Sequence, residues 1–324
     1  MPAVAVAEAH PNIALVKYWG KRDAGLNLPL TSSLSVTLDG FVTRTRVAWG
    51  VARDEVEIDG RAVGGEAAAR VLGFLDLVDP ARPPCHVQSG SSFPAAAGLA
   101  SSSSAFAALA LAATRAAGRT LGGRALSALA RRGSGSACRS LHGGFVRWER
   151  GALADGSDSV ARPLPLDPPW DLAVVVAVVH GGPKALGSRE GMQRSVSSSP
   201  CVPAFVEQNE RLVERAAQAL EARDLAALAE AMERSTLLMQ ATMHTAWPPL
   251  RYERPGSLAV LAAVEALRAG GLRCGWTMDA GPNVKVLCAR EDAEHLREAL
   301  APLVPAIHVL GIGGPARLLP EDTA

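Results

Sequence analysis

The sequence predicts an α+β protein of two lobes, and three observations support this prediction. The chain has 324 residues, about twice the size of a usual single domain. Strand and helix patterns alternate in both halves without the strict order of repeated βαβ units. Residues 163–169 contain four prolines, which exclude a helix or a central strand at that point. We therefore predict an amino-terminal lobe over residues 1–168 and a carboxy-terminal lobe over residues 169–324.

The first lobe is predicted from alternation of polar and apolar residues in its strands and from helical spacing elsewhere. A glycine- and serine-rich loop over residues 94–104 leads into an alanine-rich helix that ends near Gly118. The remaining predicted elements are strands at 32–49, 54–60 and 85–88, helices at 66–78 and 126–132, and a strand at 143–149.

The second lobe begins with an apolar strand pattern at residues 172–179, followed by a serine-rich segment at 195–200 that we expect to be a loop. The prolines Pro248 and Pro249 separate the two longest predicted helices from the rest of this lobe. The other predicted elements are helices at 206–223, 225–241, 257–269 and 293–300, and strands at 276–278, 284–288 and 306–312.

Composition excludes several classes of function. Lys and Arg number 33 against 32 Asp and Glu, so no net charge attracts nucleic acid or an anionic membrane. Aromatic residues make up 4%, too few for a platform that stacks nucleotide bases. The five cysteines form no CxxC pair, and no signal peptide or apolar run of membrane-spanning length is present. These features predict a cytoplasmic protein with small-molecule partners, which binds any anion through local donors.

A candidate phosphate-binding loop covers residues 94–104. Glycine lets backbone amides approach an anion, and the start of the following helix supplies free N–H groups and a positive dipole end. The serines add hydroxyl donors for phosphate oxygens and for a magnesium ion. No lysine follows the glycine as in a P-loop, and an ordinary serine N-cap explains one serine but not four. The candidate nucleotide-binding residues are Pro94, Gly98, Leu99, Ala100, Ser101, Ser102 and Ser103, with Ser101 and Ser102 as candidate magnesium contacts.

Three further segments carry charged or small polar residues. Residues 12–23 (NIALVKYWGKRD) place two lysines and an arginine among aromatic residues, as an anion site or a solvated basic segment would. Residues 133–140 (GSGSACRS) surround Arg139 with glycine and serine, which suits either a second anion site or a flexible turn. Asp279 follows an apolar strand pattern and opens the segment DAGPN, either a plain turn or a catalytic carboxylate at a strand end.

In this order, the four segments resemble those of the diphosphomevalonate decarboxylases, a family within the larger group of galactokinase, homoserine kinase, mevalonate kinase and phosphomevalonate kinase (GHMP) enzymes. The resemblance extends over nearly the whole chain and includes LPLTSSLSVTL, FPAAAGLASS, SREGM and TMDAGPNVKVL. It implies a two-lobed GHMP-kinase fold. The amino-terminal lobe would be like domain 2 of ribosomal protein S5, and the carboxy-terminal lobe ferredoxin-like, with the active site between them.

The resemblance implies that ATP and Mg²⁺ are used to phosphorylate the 3-hydroxyl of mevalonate 5-diphosphate, after which phosphate and carbon dioxide leave and isopentenyl diphosphate forms. It also implies a homodimer. By match to the family's motifs, Asp279 acts on the hydroxyl, Arg139 lies near the substrate carboxylate, and Lys17 is the active-site lysine. The implied substrate contacts are Asn12, Tyr18, Lys21, Ser134, Ser136 and Ser188.

The sequence departs from the family pattern near the nucleotide and diphosphate ends. Ser91 and Ser92 replace a common pair of asparagines, Thr31 replaces another asparagine, and Arg70 is a weak match for a basic residue on the first helix. The alternatives left open are a decarboxylase of mevalonate 5-phosphate, a mevalonate 3-kinase and a non-catalytic nucleotide-binding relative. The last two conflict with the presence of Asp279 together with its matched lysine and arginine.

Overall fold

The computed structural model describes residues 3–93, 101–182 and 186–321. Over these residues the strands are Ala3–Ala9 (β1), Asn12–Val16 (β2), Lys21–Asp23 (β3), Leu28–Pro29 (β4), Ser33–Thr37 (β5), Thr43–Trp49 (β6), Glu55–Ile58 (β7), Arg61–Ala62 (β8), Cys85–Ser91 (β9), Phe145–Trp148 (β10), Ala161–Leu164 (β11), Leu172–Val178 (β12), Cys274–Met278 (β13), Val284–Ala289 (β14), Ala306–Leu310 (β15) and Arg317–Leu319 (β16). The α-helices are Gly65–Val78 (α1), Ser101–Ala116 (α2), Gly123–Gly133 (α3), Ala137–Ser140 (α4), Ser188–Ser198 (α5), Val202–Glu221 (α6), Leu225–His244 (α7), Pro255–Ala269 (α8) and Ala293–Leu300 (α9).

Two sheets and the helices α1 to α4 build most of the described first half of the chain. One sheet has the strand order β16-β1-β6-β9-β7-β8, and the other has the order β11-β10-β5-β2. Helix α2 packs on the first sheet through alanines such as Ala108 and Ala112, which are fully buried. These small side chains let the helix axis approach the sheet closely. At the start of α2, Ser101 and Ser102 line a cavity together with Asn12 and Ala14 of β2.

The second half contains an antiparallel sheet with the strand order β13-β14-β12-β15. Strand β12 is buried on both faces, which explains its continuous apolar sequence. Val174 and Val176 face a core shared with β2, β5 and helices α6 and α7, whereas Ala173 and Val175 face α8 and α9. The shared core joins the two halves by apolar packing.

The last described strand, β16, belongs to the first sheet, because it pairs antiparallel with β1. Glu8 of β1 is buried and accepts hydrogen bonds from Arg44 on one side and Arg317 on the other. The chain therefore returns to its first half after it has formed the sheet β13-β14-β12-β15. The lobe boundary at residues 168 and 169 stays a prediction.

The observed architecture confirms the predicted α+β class with two lobes, but two predicted elements were wrong. Residues 32–49 form two strands in different sheets, because the turn at Asp39 and Gly40, where Gly40 has a φ of 73°, redirects the chain. The serine-rich segment at 195–200 is largely helical. Helix α5 extends through residue 198, since buried Met192 and Ser195 anchor it and tertiary contact outweighs the low helix propensity of serine.

Among the described residues, none of the helices is both long and apolar enough to cross a membrane.

Replacing Glu8 with Gln is expected to lower the free energy of unfolding by about 1.5–3 kcal/mol, since charge-assisted hydrogen bonds to two arginines are weakened. Burial raises the pKa of Glu8, but Arg317 and Arg44 outweigh it and hold the pKa below its usual value. The stabilisation is thus present above the ordinary pKa of glutamate and is lost as the pH falls through the lowered one. Urea unfolding at several pH values measures this effect. The matched control is Glu55→Gln, which removes an exposed pair with Arg53 and should change stability by less than about 0.5 kcal/mol.

Candidate active site

A cavity of about 670 Å³ opens where elements of both halves meet. Strand β2 ends just before Lys17, β13 ends just before Asp279, and the short helix α4 carries Arg139. Of the charged side chains that line it in the described part of the chain, five are cationic and only Asp279 is a carboxylate. The cationic ones are Lys17, Lys21, Arg70, Arg139 and Arg189. Such a cavity suits a ligand with several negative charges.

The carboxylate of Asp279 lies between two buried lysines. Its Oδ1 accepts a hydrogen bond from Nζ of Lys17 at 2.8 Å, and its Oδ2 accepts one from Nζ of Lys285 at 3.0 Å. Both lysine side chains are 1% exposed, whereas the aspartate side chain is 32% exposed and faces the cavity. The two lysines therefore fix the position of the carboxylate, and its exposed part remains accessible to a ligand in the cavity.

Charge and burial act in opposite directions on this group. Burial raises the pKa of Asp279, but the charges of Lys17 and Lys285 outweigh it and hold that pKa well below its usual range. Burial also lowers the pKa of Lys17 to about 8, against the opposing influence of the aspartate. At neutral pH the site consequently holds an ionised carboxylate and a lysine that is close to losing its proton.

The backbone of Lys17 is held by two helices of the second half. Its N–H donates to the hydroxyl of Ser235 on α7 at 2.8 Å, and its carbonyl accepts from the side-chain amide of Asn209 on α6 at 3.0 Å. Ser235 also donates to Oδ1 of Asn209 at 2.6 Å, and that amide further donates to Thr31 and to the carbonyl of Ser32. This buried network fixes the end of β2 relative to the helices.

Arg139 is 3% exposed and is oriented by neutral partners. Its Nε donates to Oδ1 of Asn12 at 3.1 Å, and one terminal nitrogen donates to the hydroxyl of Ser33 at 2.8 Å. Asn12 in turn donates to Ser140 at 2.7 Å and to the carbonyl of Ser136. Asn12 lines the cavity, but its side-chain atoms are used to hold the arginine, whose charge lacks a carboxylate partner among these contacts.

A second group of cations that line the cavity lies around Lys21. Nζ of Lys21 donates to Asn27 at 2.5 Å, and burial, with the nearby charges of Arg189 and Arg70, lowers the pKa of this lysine to about 8. The buried hydroxyl of Tyr18 has no hydrogen-bond partner among the described residues. An anionic ligand near Lys21 would therefore meet the charges of Arg70 and Arg189 as well.

The candidate nucleotide-binding residues are only partly described. Pro94, Gly98, Leu99 and Ala100 lie outside the described residues. Ser101 and Ser102 begin helix α2 and line the cavity, and the hydroxyl of Ser102 lies 3.2 Å from that of Ser134. Ser103 is buried and does not line the cavity; Ser134, Ser136 and Ser188 do.

The serine hydroxyls fit a magnesium ion bound mainly through phosphate oxygens. Hydroxyl and phosphate oxygens are the hard ligands that Mg²⁺ prefers. No group of three or more His, Cys, Asp or Glu side chains that could hold a metal occurs within the three described ranges. The described residues thus suit an ion that arrives with its phosphates.

Four important residues were not identified from the sequence. Lys285 is a charged residue between Val284 and Val286 in a buried strand, and this break in an apolar pattern was an available signal. Arg189 directly follows a predicted contact, Ser188, in SREGM. Asn209 and Ser235 lie in ordinary helical patterns and gave no signal, because their partners are far away in the sequence.

Comparisons with known proteins find similarity to decarboxylases over most of the chain. The sequence model described as "Diphosphomevalonate decarboxylase-like N-terminal domain" matches residues 9–161, and that described as "Mevalonate 5-diphosphate decarboxylase C-terminal domain" matches residues 174–310. Diphosphomevalonate decarboxylase of Homo sapiens is 37% identical over 311 residues, covering 88% of this chain and 77% of that protein. Diphosphomevalonate decarboxylase mvd1 of Aspergillus fumigatus is 36% identical over 317 residues, covering 90% and 78%.

Solved structures agree with this result. Mevalonate diphosphate decarboxylase from Staphylococcus aureus has a TM-score of 0.93 and 35% identity, over 99% of both chains. A structure described as "MDDEF in complex with MVAPP, AMPPCP and Magnesium" has a TM-score of 0.92 and 38% identity, over 98% of this chain and 99% of that one. These similarities confirm the predicted GHMP-kinase fold.

Asn209→Ala is expected to lower the free energy of unfolding by about 2–4 kcal/mol, because it removes the donor to Lys17 and Ser32 and leaves several buried polar atoms unsatisfied. The measurement is urea unfolding followed by circular dichroism. Arg211→Ala, on the exposed side of the same helix, should change stability by less than about 0.5 kcal/mol. Equal effects of the two substitutions would show that the network does not stabilise the joint between the halves.

Proposed function

The chain belongs to the diphosphomevalonate decarboxylase family, and we propose from this premise how its cavity performs that family's reaction. The reaction is the ATP-dependent decarboxylation of mevalonate 5-diphosphate to isopentenyl diphosphate. The observation that carries the proposal is the carboxylate of Asp279, which two buried lysines fix in a cavity where the other charged residues of the described lining are cationic.

Phosphorylation of the substrate comes first. A tertiary alcohol is a poor nucleophile, so a group beside it must orient it and receive its proton as its oxygen attacks the γ-phosphorus of ATP. Asp279 supplies a carboxylate that is ionised at neutral pH, and its open side faces the cavity. Lys17 lies beside it, where its positive charge would stabilise negative charge that develops on the transferred phosphoryl group.

Elimination follows phosphorylation. The bond from C3 to the new phosphate breaks, the bond from C2 to the carboxylate carbon breaks, and its electron pair forms the new double bond as carbon dioxide leaves. Arg139 is suited to hold the substrate carboxylate, because its guanidinium is anchored by Asn12 and Ser33. Neutral partners leave its positive charge available to the substrate.

The diphosphate tail is proposed to lie at the end of the cavity near Lys21. Arg70 and Arg189 lie near this lysine, and the serines Ser136 and Ser188 line the same cavity. Several cations with hydroxyl donors match the charge of a diphosphate better than that of a monophosphate. This arrangement favours mevalonate 5-diphosphate over the 5-phosphate as substrate.

The nucleotide phosphates are proposed to lie at the start of α2. Ser101 and Ser102 would contact them there and would hold Mg²⁺ together with the phosphate oxygens. When bound, the ion supplies positive charge that offsets the negative charge of the phosphates. The solved relative with AMPPCP and magnesium supports this choice of nucleotide and metal.

We also propose a cytoplasmic homodimer. The described cysteines are all free thiols, as expected of a protein in a reducing compartment. The dimer follows from the family resemblance, and sedimentation equilibrium of the purified protein tests it directly.

The wild-type enzyme should prefer mevalonate 5-diphosphate to the 5-phosphate in kcat/KM by at least about ten- to a hundredfold, the worth of one charge-assisted hydrogen bond. The assay incubates the protein and ATP with mevalonate, its 5-phosphate and its 5-diphosphate, and follows ADP and carbon dioxide separately. Preference for the monophosphate would show that mevalonate 5-phosphate is the substrate, and the proposed reaction steps would still apply. Formation of ADP without carbon dioxide would indicate a kinase. The absence of both products would overturn the proposal.

Asp279→Asn is expected to reduce kcat by about 100- to 10,000-fold, because the amide cannot accept the hydroxyl proton. ATP binding, measured by calorimetry, should remain nearly unchanged. Turnover within a factor of about three of the wild type would remove Asp279 from this role. The companion variant Ser102→Ala should instead impair phosphoryl transfer through the nucleotide.

The pH dependence of kcat/KM should show a loss of activity as the pH rises through about 8, since burial lowers the pKa of Lys17 and of Lys21 to about 8 and the protonated lysines bind the anionic ligands. The variant Lys21→Arg separates the contributions of the two lysines to this loss, because arginine stays charged over this pH range. The loss that remains in this variant belongs to Lys17. A profile of Lys21→Arg that stays flat to about pH 10 would contradict the assignment.

A further inference from the structure

Lys285 is a buried charge that the proposed chemistry does not use. Its side chain is 1% exposed, and its Nζ donates to Oδ2 of Asp279 at 3.0 Å. The residue lies on β14 opposite Thr277 of β13, on the face that its neighbour Leu287 turns toward the shared core. It does not line the cavity, whereas Lys17 does. A bound substrate would therefore meet Lys17 and Asp279 but not Lys285.

A lysine at this place is unfavourable unless it serves its partner. Moving an ammonium group out of water is unfavourable, and a single ion pair seldom returns more free energy than its burial costs. The flanking residues Val284 and Val286 are buried and apolar, so an apolar side chain would suit the strand. The described hydrogen bond of Lys285 is with the carboxylate that the reaction requires.

We propose that Lys285 is a positioning residue for Asp279; the inference rests on the proposed function. With only Lys17 as partner, the carboxylate could turn about its last bond and move toward that lysine. With one lysine on each oxygen, the rotation is fixed and the open edge of the carboxylate points into the cavity. A shift of about 1 Å at such a group costs on the order of 100-fold in rate.

Within the described residues, the charges that act on Asp279 are those of Lys17 at the end of β2, Lys285 on β14 and Arg139 on α4. His180 lines the same cavity. Lys285 thus also helps to keep the carboxylate ionised, and its removal should raise the pKa of Asp279.

The test compares Lys285→Met with the wild type. Methionine keeps the length of the side chain and removes the charge. We expect kcat to fall about 10- to 100-fold with KM for both substrates within about threefold, and the acid limb of the kcat profile to move to higher pH. The control is Thr277→Val, which removes the buried hydrogen bond to Thr236 on helix α7 and leaves the groups that join Lys285 to Asp279 unchanged. It should leave the acid limb unchanged.

A double variant shows whether Lys285 acts through Asp279. In the Asp279→Asn background, Lys285→Met should lower the residual kcat by less than about twofold, because the carboxylate it positions is gone. Equal fold-losses in both backgrounds, or a loss of kcat without movement of the acid limb, would overturn the inference and leave a structural role. Unchanged kcat in Lys285→Met would overturn it as well.

These outcomes are separate from failure of the proposed function. If the wild type forms neither ADP nor carbon dioxide from any of the three substrates, the function is wrong. In that event the inference falls with it, since there is no reaction for Asp279 to be positioned for. If the wild type is active and Lys285→Met does not change kcat, the inference is wrong but the proposed function stands.

Discussion

The rest of the site depends on the buried ion pair between Lys17 and Asp279, which are 262 positions apart in the chain. Each residue directly follows a strand in a different half, so the contact forms only when both sheets are complete and correctly docked. Asn209 and Ser235 hold the lysine from the helices, and Lys285 holds the aspartate from the sheet. Formation of the site and docking of the two halves are consequently one event.

This arrangement also sets the electrostatics of the cavity. Among the described residues that line the cavity, Asp279 is the one carboxylate and is already matched by two lysines. The other cations have no anionic partner in this described part of the wall and are available to a ligand. Their mutual repulsion costs stability in the empty protein. A polyanionic substrate relieves that repulsion when it binds, which gives it an advantage over neutral molecules of the same shape.

Sequence reasoning located the parts of the site that lie at the ends of regular patterns. Asp279 and Arg139 stood out because polar or charged residues followed apolar or glycine-rich segments, and the structure places them around one cavity. Asn209 could not be found in this way, because its importance comes from contacts with Lys17 at 192 positions' separation. The fold class followed from local periodicity, whereas helix α5 was missed because buried contacts, not the propensity of its serines, decide its structure.

The return of β16 to the first sheet has a consequence for the order of folding. Strand β1 obtains its outer neighbour from residues far along the chain; the ion pair of Glu8 and Arg317 joins groups 309 positions apart. During synthesis on the ribosome, the edge of β1 in the first sheet stays unpaired until the whole second half has been made. An open edge can pair with a strand of another nascent chain. Strand β16 therefore also protects the edge of β1. Chains that end before residue 317 would expose this edge, which is paired in the complete fold.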